Sequence, residues 1–266
     1  MTKDFYLYHH AWRCDMAPDR EPYLDDSQCV ELLKSGGWMV RNTFGFDQKE
    51  KSDFWYVIKD SFGGMEELSS NERNKIRRAF KIFEYQLVDN EFVRKEGYPI
   101  IKATFDDYKV TDRPMTERVF NEYLDNCSQK NYDYWSVFDK EKNKIIGFCV
   151  VHLWEGSCEY GLIGVLPEYK HNATYPYYGL FHKMNEYYLG EKNFKYVSDG
   201  SRSITEHSNI QPFLEQNFKF RKAYCKLKVR YKWWFGLIVK ILYPFRKLIK
   251  NINVKAVLNM HGYCSH

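Results

Sequence analysis

The densest polar run in the chain is Ser198-Asp199-Gly200-Ser201-Arg202-Ser203, with His207 just beyond it. It directly follows a short apolar stretch that reads as a strand, and a strand end followed by Asp-Gly is a place where side chains and amides converge on a cleft. Asp199 has the chemistry to take a proton or to orient the group that does. Arg202, with Ser201 beside it, can bind a phosphate or carboxylate, and His207 titrates near neutrality. The same residues can equally make a turn at Asp199-Gly200 and a helix cap at Ser203 or Thr205, and both readings stand on the sequence. A second carboxylate, Glu159, lies in an alternating segment where it shares a face with Gly161 and Ile163, the pattern of a cleft wall or of an edge in solvent. His9-His10 lacks a third ligand at sensible spacing, so no metal is expected. Seven cysteines at irregular spacing exclude a disulfide framework, and Cys149 and Cys158 read as small buried hydrophobes rather than nucleophiles.

These groups have to be positioned by a mixture of strands and helices. Residues 38–43 and 54–58 read as two strands of a meander. Ser69 caps a helix that carries Glu72 in its first turn, Ile76, Phe80 and Phe83 at helical spacing, and a basic face from Arg73 to Lys81. A short strand over 83–88 and helices over 90–108 and 116–129 follow. Residues 134–138 and 145–153 form a hairpin around a charged turn, and 158–166 add a third antiparallel strand that stops at Pro167. A helix over 178–190, a strand over 195–198, a helix over 210–216 and a final strand over 220–231 complete an α+β pattern. With no internal repeat and no low-complexity linker, residues 1–232 read as one elaborated domain, its N-terminal elaboration reaching to about residue 130 and its core half spanning 131–232.

The chain has 266 residues, 44% hydrophobic and 28% charged, the composition of a folded protein rather than a disordered one. Its net charge of +5 hides an asymmetry, because the last acidic residue is Glu215 and residues 217–266 hold twelve Lys or Arg. That block is an electrostatic footprint for an anionic partner. It is interleaved with Trp233-Trp234-Phe235-Gly236-Leu237-Ile238-Val239 and Ile241-Leu242-Tyr243-Pro244-Phe245, a stretch too short and too interrupted to span a bilayer, which needs about 20 apolar residues. The segment 233–250 reads either as an amphipathic helix on an anionic membrane surface or as a helix packed on the domain. The first residues contain no secretory signal, so the chain is expected in the cytosol.

The order of elements resembles the GNAT acyltransferase fold, a mixed, mostly antiparallel sheet flanked by helices. Ile146-Gly147-Phe148 after the charged turn resembles the hairpin before that family's cofactor strand, and Gly164-Val165-Leu166-Pro167-Glu168-Tyr169-Lys170 resembles its strand end and Pro-containing turn. The resemblance implies that this strand splays from its neighbour, that Gly164, Val165 and Leu166 meet the pantetheine arm of a coenzyme A thioester, and that the following loop and helix N-terminus hold the pyrophosphate. Tyr169, Tyr175 and Tyr177 flank that loop. Asn209, eleven residues before Phe220, matches the family's Asn-to-Gly-Phe spacing near the pantetheine. The usual glycine-rich loop is replaced by His171 to Gly179, and Glu215 stands where many members place a Tyr. A second resemblance, carried by Leu68 to Lys81, is to the Fem-type peptidoglycan-bridge aminoacyltransferases.

Together the resemblances imply a cytoplasmic acyltransferase that moves an acyl group from acetyl-CoA or another acyl-CoA to an amine or hydroxyl on a sugar or lipid-linked cell-envelope precursor, held at the inner membrane face by its tail. Asp199, Glu159 and His207 are the expected catalytic groups, and Ser201 and Arg202 the substrate binders. Aminoacyl transfer from charged tRNA and a catalytically silent GNAT-fold binding protein are the alternatives.

Overall fold

The computed structural model describes residues 4–107, 115–170, 172–204 and 210–264. In chain order the strands are β1 (Phe5–Tyr8), β2 (Ala11–Cys14), β3 (Met39–Phe44), β4 (Phe54–Lys59), β5 (Phe83–Val88), β6 (Tyr132–Asp139), β7 (Lys144–Trp154), β8 (Ser157–Val165), β9 (Tyr196–Ser201) and β10 (Arg221–Tyr231). The helices are α1 (Asp26–Lys34), α2 (Ser70–Ile82), α3 (Asn90–Asp106), α4 (Glu117–Ser128), α5 (Pro167–Lys170), α6 (Pro176–Asn185), α7 (Ile210–Phe218), α8 (Trp233–Leu242) and α9 (Ile252–Gly262). The architecture is α+β, with mixed, mostly antiparallel pairing. The chain forms two compact units, one of residues 1–57, 201–206 and 222–266, the other of residues 58–200 and 207–221.

In the second unit the strands lie in the order β9-β8-β7-β6-β5. β7 is apolar and buried from Ile145 to Val151, as a central strand covered on both faces must be. Phe148 packs 6.0 Å from Phe120 of α4, and Ile100 and Ile101 of α3 complete that cluster. The Ser69 cap forms as the sequence implies: its side chain accepts from the Glu72 amide while Glu72 accepts from the Ser69 amide at 2.8 Å. Hairpin β6–β7, the third antiparallel strand β8 and helices α2, α3, α4 and α7 fall close to their expected bounds. A π-helical turn, Glu186–Glu191, extends α6 to the point where the apolar periodicity ends.

In the first unit the order is β1-β2-β3-β10-β4. The meander expected of β3 and β4 does not form, because β10 lies between them, paired antiparallel to β3 from Lys226↔Phe44 to Tyr231↔Met39. Ala223, Cys225 and Leu227 are its buried alternating face, and such a partner from the far end of the chain is invisible to local pattern. β2 runs parallel to β3. Residues 233–266, read as a tail, are grouped with this unit, and Ala256, Leu258 and Met260 of α9 are buried. Among the described residues no helix is long and apolar enough to cross a membrane.

α6 touches β5 at Gly179, where a Cβ would fall inside the ring and hydroxyl of Tyr85, itself donating to the Pro176 carbonyl at 3.1 Å. Gly179→Ala should therefore cost about 1–3 kcal/mol by overpacking. Urea denaturation measures this, and an unchanged midpoint would show that α6 does not press on Tyr85.

Candidate active site

β8 is held antiparallel to β7 from Trp154↔Ser157 to Gly147↔Val165, with a shift in register between Cys149↔Ile163 and Val151↔Tyr160. The extra residue sits on β8 at Gly161–Leu162, where a Cβ on Gly161 would lie 3.0 Å from the Val150 carbonyl. This bulge puts Ile163 on the face of Tyr160, so the unbroken alternation of Glu159, Gly161 and Ile163 read from the sequence is not kept. On its other side β8 runs parallel to β9 through Ser157↔Tyr196, Cys158↔Val197 and Glu159↔Ser198. The register ends there, although β8 continues to Val165 and β9 to Ser201. The two strands part immediately after Glu159.

Asp199 is the next residue on β9. Its chain turns at Gly200, which has φ +80° and donates its amide to Ser198 Oγ at 2.9 Å. A Cβ on Gly200 would lie 3.5 Å from Glu159 Cδ, so Glu159 lies on the face of Ser198 and Gly200, and by alternation Asp199 projects from the opposite face, that of Val197 and Tyr160. Burial, and then the charge of Glu159, push the Asp199 carboxyl well above the usual carboxylate range, and a hydrogen bond from Gln211 opposes them. Gln211 also donates to the Asp199 carbonyl at 3.3 Å, so α7 holds this residue twice. Gln211 was not legible from local pattern, its partner standing 12 residues away along the chain. Tyr160, behind the pair, donates to Asn185 Oδ1 at 2.8 Å. Burial pushes the Cys149 and Cys158 thiols up, so these are the inert hydrophobes expected of them. The Asp199 carboxyl thus keeps its proton into a higher pH range than an ordinary carboxyl, with Glu159 on the adjacent strand acting on it through charge.

The residues expected around the donor have mixed placements. Gly164 is buried against Ile100, Ile101 and Thr104, and the Val165 carbonyl accepts from Thr104 Oγ1 at 3.1 Å. Leu166 donates its amide to the Ile146 carbonyl. Tyr169 is buried and donates to Asp139 Oδ2 at 2.8 Å while accepting from Lys142 at 3.1 Å, which ties it into the β6–β7 turn. Tyr175 takes a left-handed conformation, φ +59°, just before α6, and Tyr177 stacks on Phe181. Lys75 of the basic helix α2 lies over the rings of Tyr175 and Tyr178, at 5.6 and 4.7 Å, and donates to Tyr178 Oη at 3.0 Å. The basic face of α2 was legible, but that it delivers Lys75 to the start of α6 was not.

Ser201 and Arg202 belong to the first unit. Arg202 is clamped there, its guanidinium 4.3 Å from the Trp55 ring centroid and 3.7 Å from that of Tyr263, and it donates to the Asp53 carbonyl at 2.6 Å. It is a structural cation in an aromatic sandwich rather than an open anion binder. The arginine that meets Ser201 is Arg41, donating to its Oγ at 2.6 Å. His207 and Asn209 lie outside the described residues. Among the described residues no group of three or more His, Cys, Asp or Glu is arranged to hold a metal ion.

No protein-family model matches the chain, and no curated protein matches it. Solved structures do. FemX is similar to it with a TM-score of 0.54 at 10% identity, over 80% of this chain and 77% of that one. The C-terminal domain of a putative lysylphosphatidylglycerol synthetase from Agrobacterium fabrum is similar with a TM-score of 0.52 at 9% identity, over 89% and 82%. The chain has a Fem-like fold. At such identities the likeness is one of fold, and the chemistry of this Fem-like chain has to be argued from its own residues.

Asp199→Asn keeps the shape of the site and removes the titration. Because the folded state holds the Asp199 proton after the unfolded chain has released it, wild-type stability falls as pH rises above the ordinary carboxylate range. Urea denaturation from about pH 5 to 8 should show that slope flattened in Asp199→Asn, with the variant the more stable at the upper end. Parallel pH profiles for the two proteins would contradict the protonated assignment.

Proposed function

We propose that the protein is a transferase that moves an acyl group onto an amine or hydroxyl of a sugar or lipid-linked cell-envelope precursor, with Glu159 and Asp199 managing the protons. The observation that supports this reading is the raised Asp199 carboxyl just past the last β8–β9 pair, in which Glu159 stands. As the acceptor nitrogen bonds to the acyl carbon, Glu159 takes its proton. Glu159 then passes that proton to the leaving sulfur or oxygen as its bond breaks, with Asp199 coupled to Glu159 by charge from the opposite face of the sheet. His207, a few residues farther on, would assist either transfer.

The donor is acyl-CoA in the leading reading, a thioester that arrives already activated. The edge of β8 beyond Glu159, which carries no further pair with β9, suits the amides of a pantetheine arm, and Asn209 is the family-matched residue expected to join it. The start of α6 is less suited to a pyrophosphate, since Pro176 has no amide and the Tyr178 amide donates to the Tyr175 carbonyl. Lys75 and the hydroxyls of Tyr175 and Tyr177 would supply the contacts instead. That feature, with the Fem-like fold, favours a second reading in which an aminoacyl ester of tRNA is the donor. In both readings the protein works in the cytoplasm, peripherally on the inner face of the membrane.

Glu159→Gln should lower turnover at least about 100-fold with little change in the donor KM. Calorimetry with acetyl-CoA, coenzyme A and charged tRNA separates the donors. Binding of none of them would leave a catalytically silent scaffold.

A further inference from the structure

α8 is apolar apart from Lys240, and only one side of it is covered. Trp234 and Phe235 lie 5.6 and 5.4 Å from Trp38, Val239 is buried, and Gly236 allows close approach to Tyr231. The other side is bare. Trp233 is 83% exposed, and Leu237 and Ile241 follow it at four-residue intervals, one stripe on a helix. Ile238 flanks the stripe, and Phe245 and Leu248, the latter 77% exposed, continue the bare apolar surface past the end of the helix. Single exposed hydrophobes are ordinary on a soluble surface, but a continuous patch of this kind marks an interaction face.

The charges identify the partner. Lys240, Lys247 and Lys250 are exposed around this patch, and no acidic residue follows Glu215 in the sequence. A second copy of the chain would set one basic segment against another, and nucleic acid offers nothing to cover a stripe of Leu and Ile. An anionic lipid surface satisfies both features at once, with the Trp233 ring at headgroup depth, the aliphatic stripe below it and the lysines among the headgroups. The helix is too short to cross the hydrocarbon, so it lies in the plane of the interface.

We infer that the outer face of α8, continued through Phe245 and Leu248, is an in-plane docking surface for an anionic bilayer. The inference deepens the peripheral placement proposed above and does not depend on the transfer chemistry. The test is flotation of the full chain with vesicles of phosphatidylcholine alone and of phosphatidylcholine with phosphatidylglycerol. Binding is expected to the mixed vesicles, falling with added salt, and to be weakened at least about tenfold in Leu237→Glu/Ile241→Glu. Both side chains are exposed, so the thermal melt of this variant should match wild type. If it does not, Lys240→Ala/Lys247→Ala/Lys250→Ala, which leaves the stripe intact, should lose its preference for anionic vesicles. Failure of the wild type to float with mixed vesicles, equal flotation of the variants, or self-association through this face without flotation would overturn the inference. Turnover measured without vesicles distinguishes this failure from that of the transferase reading.

Discussion

A parallel ladder of only three residue pairs joins β8 to β9, and the candidate site depends on where that ladder stops. Parallel strands normally continue side by side, burying both faces. Here a bulge at Gly161–Leu162 on β8 and the positive φ of Gly200 on β9 both follow the last pair, Glu159↔Ser198. Glu159 and Asp199 therefore stand one step apart across the two strands and on opposite faces of the sheet, and burial together with the charge of Glu159 raises the Asp199 carboxyl.

The first unit solves a different problem. β10 supplies the strand between β3 and β4, and the chain then turns back through α8 and α9 to end beside Arg202. Tyr263, just past α9, closes the aromatic sandwich on the Arg202 guanidinium, whose amide also donates to the Trp55 carbonyl at 2.7 Å. A cation held between two rings and a carbonyl fixes the C-terminal helices by the end of their run. With Ala256, Leu258 and Met260 of α9 buried and one side of α8 packed on Trp38, the remaining side of α8 is exposed.

Much of the second unit was legible from local pattern. The Ser69 cap with Glu72, the apolar run of β7 and the stop at Pro167 each rest on interactions between neighbours in sequence, and their elements fall close to where the spacing puts them. Glu159 and Asp199 were legible as residue types, though not as neighbours across two strands. Their coupling depends on the β8–β9 register, a long-range fact. The assignments that needed partners distant in sequence did not carry over. Arg202 was read as an open anion binder because Trp55 and Tyr263 lie far from it along the chain, and the β3–β4 meander was expected because β10 arrives only near the end. Gln211 and Lys75 were missed for the same reason, their roles being set by what packs opposite them.

The most direct test of the account is a carboxyl carbon titration by NMR of Asp199 in the wild type and in Glu159→Gln. The account predicts that Asp199 titrates well above the ordinary carboxylate range, and that removing the neighbouring charge brings it down without returning it fully, since burial remains. An ordinary carboxylate titration for Asp199 in the wild type, or one that Glu159→Gln leaves unmoved, would contradict the claim that burial and the charge of Glu159 together raise Asp199.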